Sequence, residues 1–181
     1  MPSTPRRDAT IADAMVLTAG TAVAFTCWRS IIWMPVWSGL PNSPQWYYFQ
    51  ALGMVAFLAP LSLTLLVIAL RPPRPRLGRV ASTPAGVVGF SVLFVLAVDT
   101  ALLVTVMGLV GFSLATFTDG KVLYFCRLLA EQTGMAIGSA WFIRVTCGRC
   151  HKPTGWVDYT GLVLGACWIL LAVASIVFTL L

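Results

Sequence analysis

From Tyr47 to Leu70 the chain runs 24 residues without a charge, and stretches nearly as apolar recur along its length. A bilayer's hydrocarbon layer is ~30 Å thick, so ~20 mostly apolar residues rising 1.5 Å each cross it as a helix. Runs of that length lie at about Ile11–Pro35, Tyr47–Leu70, Gly86–Gly111, Val122–Val145 and Trp156–Leu181. Turn-forming or charged residues separate them. The expected fold is an all-α integral membrane protein, a bundle of five transmembrane helices with short loops, forming one domain over residues 1–181. Composition agrees: 59% of residues are hydrophobic and 10% charged, with a mean hydropathy of +0.88. A soluble domain is roughly half apolar and a quarter charged. The connections are too short to bury a core of their own, so no soluble domain is expected.

Lysine and arginine in short loops set orientation. Arg6 and Arg7 precede the first run, Arg71, Arg74, Arg76 and Arg79 follow the second, and Arg144, Arg149 and Lys152 lie at the end of the fourth and just past it. With five spans these three regions share one side, while the loops of the other side hold only Lys121. The N-terminus is therefore expected in the cytoplasm and the C-terminus outside, in a bacterial inner (plasma) membrane. The net charge of +6 is accounted for by this asymmetry and implies no nucleic-acid partner. The Arg-Pro run at 71–76 reads as an extended topology anchor rather than a lipid-binding strip. Ala22-Val23-Ala24 resembles a signal-peptidase site, but the apolar run continues past it to Trp37, which favours a retained span.

A charged side chain deep in a bilayer costs at least ~2.5 kcal/mol on insertion scales, so it faces protein or water and marks a candidate site. Asp99 lies at the middle of the third run and Glu131 near the middle of the fourth, at similar depth. Arg127 precedes Glu131 by four residues and shares its helix face. The stripe continues through Gly134 and Gly138, a G-x-x-x-G that lets another backbone come close. Gly161 and Gly165 repeat the pattern in the fifth run. These spacings predict that spans four and five pack through their glycines, with Arg127 and Glu131 buried against Asp99. The cluster reads first as a polar clamp, and second as a proton or cation path. Pro60 removes one helical hydrogen bond and is expected to bend the second helix.

The pentapeptide Cys147–His151, C-G-R-C-H, spells the c-type haem attachment pattern. A second axial ligand is wanting, because His151 is the only histidine and no methionine lies in a loop that returns to it. The flanking Arg144, Arg149 and Lys152 hold this loop in the cytoplasm, and 146–155 is too short to wrap a porphyrin. A zinc site on Cys147, Cys150 and His151 lacks a fourth ligand. A redox pair would stay reduced in that compartment. An ordinary basic loop is the reading adopted, and neither metal nor cofactor is expected.

No phosphate loop, nucleophile elbow or metalloprotease helix occurs in the chain. The expected role is that of a non-catalytic subunit or scaffold, packing within itself or into a larger membrane complex. Its partners would be the lipid bilayer and other membrane subunits or further copies of itself. The alternatives are a small transporter or ion-conducting protein using Asp99, Glu131 and Arg127, and a membrane redox protein using Cys147 and Cys150.

Overall fold

The computed structural model describes residues 10–37, 45–71, 80–110, 119–147 and 155–180. Five helices make up nearly all of them: α1 (Ile11–Trp37), α2 (Gln45–Leu70), α3 (Pro84–Val110), α4 (Asp119–Thr146) and α5 (Trp156–Leu180). No strand occurs among the described residues. Four of the helices, α1, α2, α3 and α5, are long and apolar enough to cross a membrane. The fourth of the five expected spans does not reach that apolarity. At 28 residues α4 has the length, but Arg127, Glu131 and Arg144 lower its apolarity below that of the others.

Local chemistry sets where helices begin. The Thr10 amide donates to Asp13 Oδ2 at 3.1 Å while the Asp13 amide donates to Thr10 Oγ1 at 3.2 Å, a reciprocal capping box at the start of α1. At α3 the Gly86 amide donates to Thr83 Oγ1 at 3.1 Å, with Pro84 as the first helical residue, where its missing N–H costs nothing. Asp158 adds negative charge to the first turn of α5, where unpaired amides favour it. Helix α2 continues through Pro60, and the Thr64 hydroxyl donates to the Pro60 carbonyl at 2.7 Å.

The helices alternate up and down. Gly89, near the start of α3, lies against Leu66, near the end of α2, and Gly134 of α4 against Trp168 of α5. Two arginines tie the ends together. The Arg144 guanidinium, at the end of α4, donates to the Ser82 carbonyl at 2.7 Å and also to the Ala81 carbonyl, just before α3. Arg71, just past α2, lies 3.6 Å from Asp13 Oδ1 at the start of α1.

Helices α2 to α5 all touch one another, whereas α1 packs on α2 alone among the described residues. The core between the four contains Leu65 of α2, Val88, Val92 and Val95 of α3, Ile137 of α4 and Trp168 of α5. The outside is apolar too: Phe94, Val104, Phe142 and Leu170 are each 63–69% exposed. Helices that are apolar all round are buried in protein or in lipid. This hydrophobic bundle is compatible with a multi-pass membrane protein.

Candidate functional site

Among the described residues of the four-helix core, polar groups gather at three places. The first joins α4 to α5. Arg127 Nε donates to Glu131 Oε1 at 2.7 Å, and the Ser175 hydroxyl of α5 donates to the same oxygen at 2.9 Å. Arg127 and Glu131 are 25% and 17% exposed, so the pair sits at the edge of the bundle rather than in its centre.

The second place is Asp99 on α3, which continues the buried stripe Val88, Val92, Val95. Its side chain is 1% exposed and its Oδ2 has no hydrogen-bond partner. Among the described residues no cation lies within ion-pair distance of it. The expected burial of Arg127 and Glu131 against Asp99 is therefore not what forms. Arg127 is taken by its own helix neighbour one turn on, and Glu131 turns toward α5. Thr133, two residues beyond Glu131, is fully buried, and its hydroxyl also lacks a partner.

The third place is Trp168 of α5, fully buried, whose indole Nε1 donates to Ser62 Oγ of α2 at 3.0 Å. Ser62 in turn donates to the Leu58 carbonyl at 2.8 Å. Spacing along the sequence does not reveal this partner, 106 residues away. The usable signal is that an indole N–H in an apolar helix needs an acceptor.

The four glycines are not equivalent. A side chain at Gly134 would meet Ala172 Cβ and, at 2.8 Å, the Trp168 carbonyl, so α4 and α5 touch backbone to backbone there. Gly165 of α5 receives the Trp141 ring of α4 and Val88 of α3. Gly138 has only Ile169 near it, at 3.9 Å, which leaves room for a methyl group. Gly161 departs from the expected α4–α5 seam: a Cβ there would lie 2.5 Å from the Ala85 Cα, so it serves the contact of α5 with α3. Its place near the start of α5 sets it beside the start of α3.

At the loop after α4, Cys147 is exposed and its thiol is free. Cys150 and His151 lie outside the described residues, so the C-x-x-C-H site has no geometry to report. Among the described residues no three His, Cys, Asp or Glu side chains gather as a metal site.

One concave surface opens outward. A shallow groove of about 610 Å³ runs along α3, lined by Leu93, Ala97, Thr100, Ala101, Val104 and Thr105 among others. The Thr105 hydroxyl is turned back onto the Ala101 carbonyl at 2.8 Å, which leaves its methyl to the groove. No family model, curated protein or solved structure matches the chain.

Proposed function

We propose that this chain is a five-pass protein of a bacterial plasma membrane, with its N-terminus in the cytoplasm and C-terminus outside, acting as a non-catalytic helix-packing subunit. The groove on α3 carries this reading. Ala97, Ala101 and Thr105 recur at every fourth residue, so they form one stripe along the helix. All three are exposed. Small side chains on such a stripe let a second helix approach closely, and in lipid that close packing is a main source of helix association. The Arg127–Glu131–Ser175 contacts serve the joining of α4 to α5, which fits a structural part for these charges. Helix α4, the least apolar, would cross the bilayer with its polar residues turned toward its neighbours. Lipid surrounds the rest, and no nucleic acid is involved.

The test is purification from the native membrane in a gentle detergent, of the parent and of Ala101→Phe. The parent should migrate as an assembly, with another membrane subunit or a second copy. Ala101→Phe, whose ring fills the groove without touching the core, should fold and insert but run as a monomer. A parent that leaves the membrane as a monomer would contradict the proposal.

A further inference from the structure

The subunit role leaves Asp99 and Thr133 without a task. Both are buried and both hold a polar atom with no hydrogen-bond partner. Most hydroxyls on these helices behave otherwise: those of Thr18, Thr21, Ser62, Thr64 and Thr160 donate to the carbonyl four residues back. Thr133 does not.

The two residues lie at matching depth. Arg144, bonded to the carbonyls of Ser82 and Ala81, levels the end of α4 with the start of α3. At 1.5 Å per residue, Asp99 then lies ~22 Å along α3 from Pro84, and Thr133 ~20 Å back along α4 from Thr146. The two helices are in contact.

We propose that Asp99 forms a reversible proton-binding site buried at mid-depth in the bundle, with the Thr133 hydroxyl, at the same depth on the adjacent helix, as the acceptor for its acid form. An ionised carboxylate taken out of water needs a counter-charge or donors, and otherwise takes up a proton. Among the described residues no counter-charge lies within ion-pair distance. From α4 the charged groups near this depth are Arg127 and Glu131, bonded to each other. Arg144 of α4 and Asp158 and Tyr159 of α5 sit about 20 Å lower along the helix axes. From α5 the remaining titratable side chain is Cys167, and α2 presents no charged residue. A carboxylic acid has one O–H to donate, and a threonine hydroxyl offers lone pairs to accept it. A proton on Asp99 would turn it into a donor that this hydroxyl can accept, where neither group now has a bond.

The experiment treats the full-length protein, in phosphatidylcholine liposomes, with dicyclohexylcarbodiimide across a range of pH, and locates the adduct by peptide mass spectrometry. This apolar reagent requires the protonated acid. The acid's proton passes to a carbodiimide nitrogen, the carboxyl oxygen bonds the central carbon, and the O-acylisourea rearranges to a stable N-acylurea without a leaving group. Asp99 should be labelled, and labelling should fall severalfold as pH rises. Thr133→Val should move the midpoint of that fall. Asp99→Asn, which keeps the shape of the neutral acid, should abolish the adduct and melt no lower than the parent. Absence of label at Asp99, label indifferent to pH, or label on Glu131 instead would overturn the proposal. So would a marked loss of stability in Asp99→Asn, and an unmoved midpoint in Thr133→Val would remove the threonine from the site.

Discussion

Glu131 Oε1 receives two donors, one from Arg127 on its own helix and one from Ser175 on the next. Arg127→Ala leaves that carboxylate with a single hydroxyl donor. A surface pair contributes ~0–1 kcal/mol and the breaking of a fully buried one costs ~3–5, so this partly exposed pair should cost about 1–2 kcal/mol, read by reversible unfolding in mixed micelles. Trp168→Phe removes the indole donor and leaves a small cavity at a fully buried site, so it should cost more than the ~0.5–1.5 kcal/mol of the hydrogen bond alone. The same unfolding measurement checks it. The Arg127–Glu131 contact is legible in a spacing of four. What spacing does not reveal is how each helix is rotated against its neighbours: Asp99 shares a depth with Glu131, yet among the described residues it forms no ion pair with Arg127. The bond from Trp168 to Ser62 spans 106 residues and depends on the same rotations.

Among the helices, the glycine contacts divide into those that a side chain would break and those that it would not. At Gly161 the obstacle is the backbone of Ala85, which cannot rotate aside, so Gly161→Val should push α5 off α3 and cost at least about 1–3 kcal/mol as overpacking. Gly138→Ala should be close to neutral, since Ile169 is 3.9 Å away. Unfolding of the two variants side by side checks the contrast, and equal stability would contradict it. The repeated G-x-x-x-G motifs point to close packing but not to the partner. Gly134 and Gly165 join α4 and α5, whereas Gly161 serves α3, because the start of α5 leans on the start of α3. Helix existence was legible from apolar length alone, and each helix begins within a few residues of the expected position. The caps sharpen this: Thr10 with Asp13, and Thr83 before Pro84, mark starts that hydropathy leaves blurred.

Over the whole molecule, four helices form the core and α1 lies outside it, tied to α2 at one end by Arg71 and Asp13. That arrangement was not legible, since α1 is as long as the others and its sequence does not say which helices it touches. The number of crossings rests on α4. Its 28 residues suffice in length, but its charges make it the least apolar of the five. Arg127 bonds Glu131, Glu131 also accepts from Ser175 of α5, and Arg144 bonds carbonyls before α3, and these partners are why α4 is expected to cross with the rest. The direct measurement is a pair of reporter fusions, one after Arg79 and one after Leu181, each carrying a domain active on only one side of the membrane. With five crossings the two report opposite sides, the Arg79 fusion in the cytoplasm and the Leu181 fusion outside. If both report the cytoplasm, α4 does not cross and the five-pass account is wrong.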